Sequence, residues 1–275
     1  MMQWPDALGK RHERYPGRPR IVSLVPSLTE LLCAIGLADS VVGRTGFCVH
    51  PRPLVRHLPK VGGTKGFSLA RLRALQPTHV VVNVDENRRE EVAALYDFVP
   101  HVIVTHPLAP RDNLDLYRLL GGVFGREREA DELCRAFERE WVATAVWAAS
   151  VPRQKVLYLI WRQPWMSVAR DTYISRVLAA VGWDTLPFVS LVRYPEIDLP
   201  ALSREVDVVL LSSEPYPFRD KHLRELRQRQ AAGELAAVRV ALIDGEMVSW
   251  YGTRAIAGLP YLRRLRAELA NSAAT

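Results

Sequence analysis

Apolar and polar positions along this chain fall into blocks, and the blocks come round twice in the same order. IVSLVP (Ile21 to Pro26), HVVVNV (His79 to Val84) and HVIVT (His101 to Thr105) are short, nearly unbroken apolar runs. Their length and their Val and Ile content predict strands of a parallel sheet covered on both faces. Between them, SLTELLCAIG (Ser27 to Gly36) and SLARLRAL (Ser68 to Leu75) space their leucines as helices do. Leu28, Leu31, Leu32 and Ile35 make the stripe of the first helix. Ser27 with Glu30 three residues on predicts a capping box, and Gly36 predicts the stop. The second half answers with KVLYLIW (Lys155 to Trp161), DTYISRVLAAVG (Asp171 to Gly182), LPALS (Leu199 to Ser203), DVVLLSS (Asp207 to Ser213) and RVALID (Arg239 to Asp244). Here the helix starts at Asp171 or Thr172 and stops at Gly182.

The longest helical pattern lies between the copies, from about Arg126 to Ser150, with Ala130, Leu133, Phe137, Trp141 and Ala145 on one face and charges outside. At ~1.5 Å per residue it is long enough to act as a stiff beam. The order predicts an α/β fold with parallel sheets and four parts. These are an arm over residues 1–20, an N-terminal lobe over 21–110, a linking segment with the long helix over 111–152, and a C-terminal lobe over 153–275. The arm is expected to be poorly ordered unless it packs back on the body. Two such lobes facing each other create a cleft, where small ligands are held.

Composition fits a chain able to bury a large core: 275 residues, 48% hydrophobic and 24% charged. The net charge of +7 and pI near 9.5 raise nucleic acid as a partner. The basic residues look scattered, many beside acids as in GREREADEL and LRELRQRQ, and no compact aromatic and basic module stands out, so no nucleic-acid partner is expected. MMQWPDALGKRHERYPGRPR has no apolar core before Ile21, so export by a signal peptide is not expected. As written, the chain reads as cytoplasmic, or as periplasmic if the true start lies upstream. No run approaches ~18 apolar residues, which predicts no membrane insertion. Cys33, Cys48 and Cys134 lack CxxC spacing and read as thiols.

Catalytic signatures are missing: no GxSxG elbow, no GxxxxGK[ST] loop, no HExxH, and no GxGxxG after a strand. Asp85 and Glu86 share a loop suited to acid/base work, but such a DEN cluster more often caps the helix that follows, NRREEVAALYDF. No cofactor is expected to be required.

RIVSLVPSLTELLCAIGLADSVVGRT, LARLRALQPTHVVVNVDEN, the long helix and WMSVARDTYISRVLAAVGWDT resemble the class III solute-binding proteins over about residues 20 to 268. The resemblance implies two Rossmann-like lobes bridged by one rigid helix. It also implies a shallow cleft that closes slightly on vitamin B12 or another corrinoid, a ferric siderophore, haem or a metal ion for an ABC importer. The positions matching the family's ligand-facing loops are Phe47, Cys48 and His50 in RTGFCVHP, and Asp85, Glu86, Asn87 and Arg88 in DENRRE. In the second lobe they are Trp161, Arg162, Trp165 and Met166, then Glu214, Tyr216 and Phe218, then Trp250, Tyr251 and Arg254.

The aromatic members offer rigid apolar area for a flat macrocycle, and Arg162 and Arg254 offer donors to carboxylates or phosphates. Several of the aromatics would equally serve as core beneath the loops. Cys48 and His50 alternate in an extended loop and would reach one metal ion together, with Glu86, His106 or Glu214 completing the set. A loop histidine beside a buried thiol is the plainer alternative.

The family docks on its importer through one Glu per lobe near the start of the Leu-rich helix, where this chain has Ala70 and Pro200. The reading is therefore a monomeric receptor of that type, apparently without an export signal, holding a bulky chelate. The alternatives are an importer component, a cytoplasmic enzyme or metallochaperone handling a metal cofactor in the same cleft, and a ligand-sensing partner protein.

Overall fold

The computed structural model describes residues 2–271. The described residues divide into two compact units, one holding 2–107, 111–137 and 251–253, the other 108–110, 138–250 and 254–271. Residues 111–137 group with unit 1 and residues 138–152 with unit 2, so the boundary between the units falls inside the long helix.

Unit 1 opens with an antiparallel hairpin, β1 (Gln3–Pro5) and β2 (Arg11–Glu13). Then come β3 (Ile21–Ser23), α1 (Pro26–Ala34), β4 (Val41–Arg44), α2 (Arg52–Val55), α3 (Leu69–Ala74), β5 (His79–Asn83), α4 (Arg89–Ala93), β6 (His101–Thr105), α5 (Asn113–Val123) and the start of α6 (Glu127–Ala149). Its sheet is wholly parallel, in the order β4-β3-β5-β6.

Unit 2 takes the rest of α6, then β7 (Gln154–Leu159), α7 (Tyr173–Ala180), β8 (Trp183–Thr185), α8 (Leu199–Leu202), β9 (Val208–Ser212), α9 (Asp220–Ala231), β10 (Arg239–Ile243), α10 (Glu246–Ser249) and α11 (Thr253–Asn271). Its sheet is also parallel, in the order β8-β7-β9-β10. Counted within each copy, both sheets run second, first, third, fourth, so the repeat in the sequence is a repeat of topology.

The strands are buried on both faces, as continuous Val and Leu runs require. Val22, Val80, Val82 and Val102 centre one core; Leu157, Val209, Leu211 and Leu199 centre the other. Each such side chain contributes ~1.5–3 kcal/mol relative to exposure.

Helix starts depart from expectation in unit 1. IVSLVP pairs only to Ser23, and α1 begins at Pro26 behind Val25 with no side-chain cap, so the capping box at Ser27 does not form. Proline needs no partner for a missing N–H and takes the first position instead. The DEN cluster does not cap α4 either; Asn87 accepts from the Asn83 N–H and donates to the Leu24 and Thr64 carbonyls, tying three loops together. In unit 2 the expectation at Thr172 matches, its Oγ1 accepting from the Ser175 N–H. Gly36 and Gly182 end their helices at φ +77° and +76°, the left-handed cap that glycine tolerates.

The arm is not loose. Asp6 accepts from the backbone N–H of Leu8, Lys10 and Val104 and pairs with His12 at 3.1 Å. Burial alone would raise its carboxyl, but these bonds hold it below the ordinary value. The Trp4 indole fills a notch left by Gly122 on α5. In α6 the buried stripe runs through Ala130, Cys134, Phe137 and Thr144, while Ala145 is exposed, because the true helical period drifts past it.

Candidate functional site

In an open parallel sheet, ligands sit beyond the carboxyl ends of strands where the strand order reverses. That switch point lies between β3 and β5 in unit 1 and between β7 and β9 in unit 2.

In unit 1 the loop after β4 leaves Phe47 64% exposed and His50 half-buried, but turns Cys48 inward. Cys48 Sγ lies 3.0 Å from Thr45 Oγ1 and within reach of the Ser23 carbonyl, and burial pushes its thiol up. The sequence expectation that Cys48 and His50 face one ligand or metal therefore does not describe this loop. Among the described residues no group of three or more His, Cys, Asp and Glu is placed to hold a metal ion. Glu86, after β5, is half-buried; burial raises its carboxyl while Lys65 opposes the rise. Asp85 pairs with His106 at 3.5 Å.

A cavity of about 440 Å³ opens elsewhere in unit 1, between the hairpin, the end of β6 and α5, lined by Trp4, Asp6, His106, Asp112, Leu116 and Leu119. It exists because the arm folds back, so local sequence gave no signal for it.

In unit 2 the loop after β7 is a tight hairpin in which the Met166 N–H donates to the Trp161 carbonyl. It puts Trp161, 41% exposed, edge-on against Tyr216 from the loop after β9, ring centroids 5.5 Å apart. Tyr216 leans on Phe218 at 4.7 Å, and Trp165 stacks on Phe218 at 6.1 Å with only 5° between planes. Phe218 is buried, so part of the expected aromatic surface is its floor. Beneath them His222 accepts the Arg219 N–H at Nδ1, which leaves Nε2 to donate to Tyr216 Oη at 3.2 Å. Burial lowers the His222 pKa and keeps this ring neutral.

The charges are already paired. Arg162 donates to both oxygens of Glu225 at 2.7 Å, and Arg254 meets Glu246 at 3.3 Å while lying over Trp250 at 5.5 Å. Both arginines are thus committed within unit 2, contrary to the expectation of free anion donors. Glu214 accepts from Ser249 Oγ. Tyr251 is buried and groups with unit 1, apart from its neighbours Trp250 and Arg254 in sequence.

Sequence reasoning overlooked Glu225, whose partner Arg162 lies 63 residues away, and also Glu246 and His222, whose partners are near in sequence but are met only in the folded loops. It also overlooked the loop after β8, where Val189, Leu191 and Val192 are exposed. That loop is fastened to the β7 hairpin by Ser167 N–H to Pro195 O and Ile197 N–H to Trp165 O. Its only signal was PFVSLVRYP, an apolar run with neither helical nor strand period.

The sequence profile of a family described as periplasmic binding protein matches residues 21–241. A vitamin B12-binding protein of Vibrio parahaemolyticus is 23% identical over 194 residues, 70% of each chain. One from Photorhabdus laumondii is 24% identical over 203 residues, 73% of each. Among solved structures, the periplasmic vitamin B12 binding protein BtuF of Vibrio cholerae superposes with a TM-score of 0.80 at 18% identity, covering 90% of this chain and 97% of the other. The periplasmic heme-binding protein RhuT from Roseiflexus sp. RS-1 gives 0.75 at 23%, covering 90% and 97%.

Proposed function

The chain belongs to the periplasmic binding protein family, and on that premise we propose that it is a receptor taking a bulky chelate, a corrinoid first, on the loops at the carboxyl ends of its sheets. The observation that carries this is the aromatic cluster at the β7/β9 switch point. Trp161 keeps its ring open to solvent while Tyr216, Phe218 and Trp165 brace it from behind. A rigid aromatic ledge suits the face of a macrocycle.

The charges narrow the ligand. Haem and many ferric siderophores carry carboxylates or anionic chelating groups that call for free cations, yet Arg162 and Arg254 are matched by Glu225 and Glu246. Separating a half-buried pair leaves an uncompensated charge and costs binding energy. A corrinoid with an amide rim asks for no such separation, and the vitamin B12-binding relatives favour the same choice.

The family is one of binding proteins, so the partner is a transporter and not a reaction. Ala70 and Pro200 occupy the second position of α3 and α8, each two residues after the caps Ser68 and Asp198. Delivery to an ABC importer would therefore proceed without a carboxylate at the second position of either helix.

The test is titration of the stripped protein with cobalamin, haem and a ferric catecholate chelate, followed by tryptophan fluorescence and absorbance. Saturable cobalamin binding, tighter than haem, is the expected result. Preference for haem or the ferric chelate would replace the corrinoid, and no binding of any of the three would overturn the receptor.

A further inference from the structure

Several arginines in unit 2 are matched by carboxylates: Arg153 with Asp184, Arg162 with Glu225, Arg193 with Asp171, Arg229 with Glu234, Arg254 with Glu246 and Arg263 with Glu140. One stretch of unit 1 is the opposite. Residues 40–84 contain seven Lys and Arg and no Asp or Glu. Arg44 is buried and spends its guanidinium on the Val55 and Thr45 carbonyls, and Lys65 faces Glu86. Arg52, Arg56, Lys60, Arg71 and Arg73 are exposed, and none has a carboxylate partner among the described residues.

Geometry makes this a built surface. The chain leaves β4 at Arg44 and returns alongside it at Lys60, where the Val61 N–H donates to the Arg44 carbonyl and the Arg44 N–H to the Pro59 carbonyl. The excursion is pinned from inside by Cys48, Val55 and the Arg44 guanidinium, all buried. Its outer side therefore carries Val49 at 46% and Leu54 at 44% exposure beside Arg52, Arg56 and Lys60. Aliphatic groups on a fixed loop with cations around them match an interface that is apolar within and anionic at its surface.

We propose that the β4 excursion of unit 1 docks on an anionic lipid surface, its cations against the headgroups and Val49 and Leu54 in the boundary layer. Each cation near such a surface is worth ~1 kcal/mol and is screened by salt, so the association is reversible and ionic-strength dependent. A nucleic acid would use the cations but leave the aliphatic pair idle, and a second copy of this chain would bring like charge against like. The excursion is itself the loop at the carboxyl end of β4, but vesicle binding is read with no chelate present and so does not depend on the ligand reading.

The experiment is co-sedimentation of the full chain with vesicles of phosphatidylcholine alone and with ~30% phosphatidylglycerol, from low to high salt. The bound fraction is expected to rise on the anionic vesicles only and to fall at high salt. It should drop at least about tenfold in Arg56→Glu/Lys60→Glu, two charge reversals at ~1 kcal/mol or more each. Leu54→Asp should also weaken it, with melting temperature and cobalamin response as in the parent. Arg224→Glu/Arg227→Glu on α9 makes the same charge change in unit 2 and is expected to leave binding intact. The proposal is overturned by no binding to anionic vesicles, by equal loss in the α9 variant, or by tighter binding to a DNA duplex than to vesicles.

Discussion

Tryptophans of the same type serve opposite ends in this chain, and burial separates them. Trp161 is exposed on a braced ledge, whereas Trp183 is fully buried with its indole N–H on Gln154 Oε1 at 3.0 Å. Trp161→Ala should weaken cobalamin binding by ~1–3 kcal/mol with an unchanged melting temperature. Trp183→Ala should cost ~3–5 kcal/mol of stability through the cavity it leaves; paired titration and chemical denaturation of the two variants check the contrast. Gly182 is constrained twice, by φ +76° and by the Arg266 guanidinium lying where a Cβ would stand. Gly182→Ala is expected to lower stability by ~1–3 kcal/mol, while Gly233→Ala, with a similar φ but open space around it, should lose less.

Packing between elements explains why the arm folds onto unit 1. Tyr15, just past β2, sits edge-on to His79 at 4.7 Å and to His101 at 5.8 Å, and the two imidazoles stack at 4.7 Å. Burial lowers the His79 pKa to about 3, with His101 adding to the effect. An unfolded histidine takes its proton near ~6.5, so between those values the unfolded chain holds the extra proton. Stability due to His79 is therefore intact above about pH 6.5 and is lost as pH falls toward 3, by up to ~1.4 kcal/mol per unit. Denaturation followed between pH 7.5 and pH 5 should show that slope, and His79→Phe, which keeps the ring contacts without the proton, should flatten it.

For the whole molecule, a receptor's ligand adds to its folding free energy. Cobalamin at a hundred times its Kd is expected to stabilise the protein by ~2.7 kcal/mol, read as a rise in melting temperature absent with the Trp161→Ala protein at the same concentration. The two sheets share one strand order, yet their strand-end loops differ in chemistry. Unit 2 presents an aromatic ledge with paired arginines, and unit 1 presents Phe47, Glu86 and an unpaired basic excursion.

What the sequence determined by itself was the periodic part: strands as short apolar runs, helices at Leu spacing with glycine stops, and a pattern repeated in order, because each rests on neighbours a few residues away. Tertiary structure decided the rest. Cys48 turned inward because Thr45 and the Ser23 carbonyl were there to receive its thiol, and the arm became a hairpin because Val104 and Asp6 meet across 98 residues of chain. Arg162 found Glu225 at a separation of 63. Whether a charge is free or matched depends on which groups the folded chain brings beside it, so the strand-end loops were legible as positions while their electrostatics were not.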